Sequence, residues 1–122
     1  MKKTIRRIIG VLLVSCILVS MFCMTAFAKS ASGTYNGRTY RVSLVLQPEA
    51  MTSNISYPNK IQLGFLGYGE ARLGNGYRKV SCSNNGMNTR IAKTVNPGGQ
   101  LRFVRGHQEY YIESHYVKTL DA

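Results

Sequence analysis

Asn-Gly occurs three times after residue 28, at Asn36-Gly37, Asn75-Gly76 and Asn85-Gly86. The pair suits a type I′ turn, whose two central residues need positive φ; Asn tolerates that and Gly adopts it freely. Pro97-Gly98-Gly99 is a fourth turn signal. Between these marks the apolar residues alternate. Tyr40, Val42, Leu44 and Leu46 share one strand face, with Arg41, Ser43 and Gln47 opposite, as a half-buried strand requires. Ile61, Leu63 and Phe65 repeat the period, as do Ala71 with Leu73, Val80 with Cys82, Leu101 with Phe103, and Tyr110 with Ile112. No window shows helical spacing, although Pro48 to Ser53 has room for one helical turn. The pattern predicts an all-β fold, a small antiparallel β-sandwich or barrel of six to eight short strands. The best-defined unit is a hairpin of Glu70–Leu73 with Tyr77–Ser83, joined through Gly74-Asn75-Gly76.

The first 28 residues read differently. Lys2, Lys3, Arg6 and Arg7 make a basic start, and an uncharged apolar run follows from Ile8 to Met24. Ala26-Phe27-Ala28 supplies the small-x-small triplet that a signal peptidase reads. This predicts a signal peptide over 1–28, cleavage before Lys29, and one secreted β domain over 29–122 with no membrane span after cleavage. Two rivals are weaker. As an anchor the run would need ~20 apolar residues, and Ser15, Ser20 and Thr25 dilute it. Leu13-Val14-Ser15-Cys16 resembles a lipobox, but Ile17-Leu18-Val19 continues the apolar run through the cysteine. Lys29 to Gly33, small and polar, is expected to be a frayed leader.

Removing the signal leaves 94 residues, enough for one modest core. Twelve basic side chains then face five acidic ones, a net charge of +7. Cys16 and Cys23 leave with the signal, so Cys82 stands alone and a disulfide-stapled miniprotein is excluded.

Catalytic patterns are weak. Cys82 with His107 or His115 would suit a thiol hydrolase only if an imidazole held the thiolate. Cys82 alternates in phase with Val80, so a small buried hydrophobe is the simpler reading. His107, Glu109, Glu113 and His115 would lie in a row on one strand face, yet residues spaced by two are ~6.6 Å apart and no sharper metal-ligand spacing occurs. Five carboxylates, Glu49, Glu70, Glu109, Glu113 and Asp121, give no pair placed across a cleft. No nucleophile elbow, phosphate loop or dinucleotide fingerprint is present. We therefore assign no catalytic residue, metal or cofactor and expect no enzyme.

Charge combined with tyrosine is the stronger signal. Arginines and lysines are spread along the strands, and eight tyrosines occur in a chain without tryptophan. Arginine forks suit phosphates and carboxylates, while tyrosine gives rigid contact area with a polar tip. The sharpest local grouping is Arg72, Tyr77, Arg78 and Lys79 around one tight hairpin. The expected partner is an anionic polymer or envelope surface, such as a wall polymer, an acidic polysaccharide or an anionic lipid. Export and the lack of any nucleic-acid motif disfavour specific DNA or RNA binding.

A signal peptide followed by a short basic Gly- and Tyr-rich β chain resembles the small secreted β-sandwich bacteriocins of the lactococcin type. The likeness covers size, export and fold class, and no motif residue is carried over. The chain resembles the small secreted proteins of Gram-positive bacteria equally well. The reading that results is a secreted, non-enzymatic binder of an anionic extracellular or envelope component. A bacteriocin-like antimicrobial and an extracellular assembly protein are the alternatives.

Overall fold

The computed structural model describes residues 27–122. The basic start, the apolar run, Cys16 and Ala26 lie outside the described residues. Seven strands follow in order: β1 (Phe27–Tyr35), β2 (Arg38–Gln47), β3 (Ala50–Leu73), β4 (Gly76–Ser81), β5 (Asn84–Val95), β6 (Arg102–Ile112) and β7 (His115–Asp121). Every pairing is antiparallel, and the main path runs β1-β2-β3-β6-β7, with β4 and β5 on the other edge of β3. The result is an all-β sheet nearly closed into a barrel, as the alternation predicts.

Not all the strands are short. β3 runs 24 residues and is the spine of the fold. β4 and β5 lie beside it as one interrupted strand, since Phe65↔Asn84 and Tyr68↔Ser81 keep a single register across the break. At that break the Cys82 N–H still donates to the Gly67 carbonyl at 2.9 Å. Along the β3–β5 ladder the register slips between Ser56 and Ile61, where Tyr57-Pro58-Asn59-Lys60 bulge out. Proline cannot donate to a ladder, so a bulge is where a long strand tolerates it. There the sheet turns over. The first part of β3 pairs with β2, the second with β6, and the two halves face each other across the core.

The core comes from the predicted alternation. Tyr40, Val42, Leu44 and Leu46 of β2 are all buried, as are Met51, Ile55, Leu63, Phe65 and Ala71 of β3 and Phe103, Tyr110 and Ile112 of β6. Leu73, paired with Ala71 by spacing alone, is 50% exposed at the hairpin tip. Polar atoms inside are placed to pair. Ser53 Oγ and Tyr110 Oη lie 2.8 Å apart, and Tyr110 donates to the Ser43 carbonyl at 2.8 Å. One tyrosine thus ties β6 to β2 and β3 of the opposite half. Gln108 Nε2 donates to the Cys82 carbonyl at 3.1 Å, satisfying an acceptor left over at the β4–β5 break.

Asn36-Gly37 is the β1–β2 turn, as predicted, with φ of 49° and 75°. Several other local expectations are corrected. In the β3–β4 hairpin the turn centre is Gly74-Asn75, because Leu73 pairs with Gly76 and the positive φ belongs to Gly74. Asn85-Gly86 makes no turn: both residues are inside β5, paired with Gly64 and Leu63, so long-range pairing overrides the local signal. Pro48 to Ser53 holds no helical turn; Pro48-Glu49 connect β2 to β3, and pairing resumes at Ala50↔Gln47. Lys29 to Gly33 are not frayed but pair with Leu44 to Tyr40, and pairing reaches back through Ala28 to Phe27. The β6–β7 turn, Glu113-Ser114, has both φ positive at 49° and 65° with no glycine to signal it. Such φ values cost ~1 kcal/mol or more per residue, and two contacts hold Glu113 there. Its N–H donates to the Gln62 carbonyl, and its carboxylate accepts from Tyr35 Oη, both at 2.8 Å.

β1 and β7 close the sheet without a ladder between them. Tyrosines span this seam: Tyr35 reaches Glu113, and Tyr40 Oη donates to the Val117 carbonyl at 3.1 Å. Tyr40 can cross because residue 33 is glycine; a Cβ there would lie 2.5 Å from the Tyr40 hydroxyl.

Candidate anion-binding surface

On the outer face of β4, β3 and β6 the cross-strand register makes two rows. Lys79, Glu70 and Arg105 form one; Tyr77, Arg72 and Arg102 form the next. Arg72 and Arg102 are direct cross-strand neighbours, and like charges so placed oppose folding. The Arg72 guanidinium lies 5.5 Å from the centre of the Tyr77 ring, and Lys79 Nζ stands 3.9 Å from that of Tyr68. Tyr68 in turn packs on His107 at 5.5 Å between ring centres. These cations are held over aromatic faces, where the ring quadrupole favours them.

The sequence grouping is therefore split. Arg72, Tyr77 and Lys79 share this face. Arg78 pairs with buried Ala71 and points the other way, where its Nη1 donates to the Pro97 carbonyl at 3.1 Å. Arg102, Arg105 and Tyr68 join the surface in its place. Local spacing hid them, because β6 is about 30 residues distant in sequence and a register shift between Glu70 and Ala71 re-aims its arginines. The period-two rule alone places residues on β3 and β4 but not the neighbour that a bulge brings in.

The electrostatics are one-sided. Among the described residues no lysine or arginine lies within ion-pair distance of a carboxylate; the only ion pairs there are those of His107 with Asp121 at 2.6 Å and with Glu109 at 3.6 Å. Three of the five carboxylates are engaged elsewhere. Glu109 accepts from Tyr111 Oη at 2.8 Å, Glu113 accepts from Tyr35, and Asp121 binds His107. Each carboxylate raises the pKa of the tyrosine that donates to it, Tyr111 and Tyr35. The acid on the basic face itself is Glu70, cross-strand from both Lys79 and Arg105 but beyond ion-pair distance of either.

A second basic row crosses the opposite outer face, where Arg41 and Arg90 both neighbour Ser56. They border an open hollow of ≈ 610 Å³ lined otherwise by Ser30, Ser32, Ser43, Asn54 and similar uncharged groups.

The other candidates disperse. Cys82 is fully buried, and burial pushes its thiol pKa up, away from the thiolate a nucleophile needs. It hydrogen-bonds neither histidine among the described residues; its contact is the Lys93 carbonyl at 4.0 Å. The row His107, Glu109, Glu113, His115 is broken, because the chain reverses at Glu113-Ser114. No group of three or more His, Cys, Asp or Glu side chains suited to a metal ion occurs among the described residues. Lys29 is in β1 opposite Leu44, and Ala28 opposite Val45. No helix among the described residues is long and apolar enough to cross a membrane.

Comparison of the chain with protein-family models, curated proteins and solved structures gave no match in any of the three.

Proposed function

We propose that this protein is a non-enzymatic binding module for an anionic polymer, engaged through the outer face of β4, β3 and β6. The observation that carries the reading is Arg72 opposite Arg102 with no carboxylate within ion-pair distance of either. That pairing opposes the fold, and places where local consistency fails are where function is sought first. A phosphate or carboxylate between the two guanidinium forks would turn the repulsion into bidentate contacts. Lys79 and Arg105 extend the charge along the face, and Tyr77 and Tyr68 add rigid contact area. Export, as residues 1–28 suggest, would present this face to phosphate-bearing wall polymers and acidic polysaccharides outside the cell.

The test is binding of purified protein to long-chain polyphosphate and to polygalacturonate across a salt series. The expected result is saturable binding that collapses as salt rises through a few tenths molar, and that the Arg72→Gln, Arg102→Gln double variant loses at low salt. Absence of binding at low salt, or binding that the double variant retains in full, would overturn the assignment.

A further inference from the structure

We propose that the hollow over Gly64, on the outer face of β5, β3 and β6, binds an uncharged saccharide chain. This site is distinct from the basic rows and does not depend on them. It is an open trough of ≈ 660 Å³, within the range of small-ligand sites, and its lining includes Gln62, Gly64, Leu66, Asn85, Tyr111 and Ser114. No lysine, arginine, histidine or carboxylate lines it. In a chain with twelve basic side chains among its described residues, a hollow of this size lined by neutral groups offers an anion no charged partner.

Gly64 makes the floor. It occupies a strand interior, between Asn85 on β5 and Tyr111 on β6, where glycine weakens a strand and often marks a close approach by a ligand. Packing does not demand it. A Cβ at residue 64 would meet the Asn85 Cβ at 3.6 Å and the Asn84 carbonyl oxygen at 3.7 Å, both ordinary contacts. Gly67, Gly69 and Gly106 differ, because a Cβ at each would collide with the fold itself. The missing side chain at residue 64 therefore leaves open space that the fold does not use.

The walls suit a sugar. Tyr111 is fixed by its hydroxyl bond to Glu109 and by an edge contact with Tyr116 at 6.1 Å between ring centres. It offers a preset aromatic surface for the apolar face of a pyranose. The side-chain amides of Gln62 and Asn85 and the hydroxyl of Ser114 hydrogen-bond no described residue, so donors and acceptors for ring hydroxyls are free around the floor. Leu66, 55% exposed, completes the apolar part of the rim. Rigid aromatic area with unengaged neutral amides is the chemistry that recognises a polyol.

The experiment is equilibrium binding of cellohexaose, chitohexaose and maltohexaose to the purified protein at about 0.5 M salt, where charge-led binding is screened. Saturable binding of at least one is expected, weakened roughly tenfold by Tyr111→Ala and strongly by Gly64→Val, and unchanged by Arg72→Gln. Gly64→Ala guards against a folding artefact: it should keep the melting temperature or raise it while weakening the same sugar. Failure to bind any of the three, or binding that both Gly64 variants leave intact, would overturn the proposal. So would self-association that Gly64→Val abolishes in a protein that binds no sugar. Polyphosphate binding at low salt, unaffected by the Gly64 variants, separates the fate of this site from that of the basic rows.

Discussion

The interior between the two halves of the sheet and the outer face of β4, β3 and β6 treat polar groups in opposite ways. Inside, Tyr110, Ser53 and the Ser43 carbonyl satisfy one another, and Gln108 caps the Cys82 carbonyl. Only Gln108 Oε1 lacks a partner among the buried side-chain atoms of the described residues. Outside, on the same strands β3 and β6, two arginines oppose each other and their charge is not neutralised. Burial explains the contrast, since an unpaired polar group costs little in water and 1–3 kcal/mol inside. The interior is arranged for stability. The outer face gives a little of it up, and the proposed anion site rests on that difference.

The comparison breaks most easily at Tyr110. Tyr110→Ala should destabilise the fold by about 4 kcal/mol, through the cavity left and the loss of both hydroxyl bonds. Tyr110→Phe removes only the hydroxyl, and with it the bonds to Ser53 and to the Ser43 carbonyl, for about 1–3 kcal/mol. Urea unfolding of both variants measures the difference; a Phe variant as stable as the parent would mean that the buried network contributes nothing net. Alkali tests the same group. Burial, more than any charge nearby, raises the Tyr110 phenol to about 12. Folding therefore favours its protonated form. That stability is fully present below pH ~10, the ordinary tyrosine range, and is lost as pH rises through 12. Ultraviolet titration should show one tyrosine ionising last, together with the loss of folded structure.

How far the sequence discloses this molecule depends on range. Alternation places Val42, Leu44 and Leu46 on the inner face because period two is a local property of a strand. Asn36-Gly37 is legible for the same reason, since its φ values are set by two residues. Asn85-Gly86 misleads because pairing with Gly64 and Leu63, some twenty residues away, outweighs a turn preference. Glu113-Ser114 carries no signal at all, as its positive φ values depend on Tyr35 and Gln62 far along the chain. The candidate surface was half legible. Arg72, Tyr77 and Lys79 follow from one hairpin, whereas the assignment of Arg78 to another face needs strand parity, and Arg102 needs the β3–β6 register.

Gly33 sharpens the contrast at the β1–β7 seam, where side chains stand in for a ladder. Gly33→Ala would push Tyr40 off its path and break its bond to the Val117 carbonyl. The expected loss is about 1–2 kcal/mol, from one part-buried hydrogen bond and a displaced ring. Amide hydrogen exchange should quicken in β1 and β7 before the rest of the sheet. Uniform exchange in parent and variant would show that the tyrosines do not hold the seam.

The smallest expected effect is the most diagnostic, because its sign is reversed. Arg102→Gln removes one of two opposed cations and should stabilise the free protein by a few tenths of a kcal/mol at low salt. The gain should fade at high salt, where the repulsion is already screened. The same change should weaken polyphosphate binding, since one of the two forks is gone. A residue held only by packing would lose stability when replaced, and one held only for solubility would weaken polyphosphate binding no more than Arg90→Gln does on the opposite face. A more stable variant that binds less, and by more than that control, is the pattern expected of an unrelieved charge pair awaiting an anion. Thermal melts and binding isotherms on one preparation, at two salt concentrations, read both signs together.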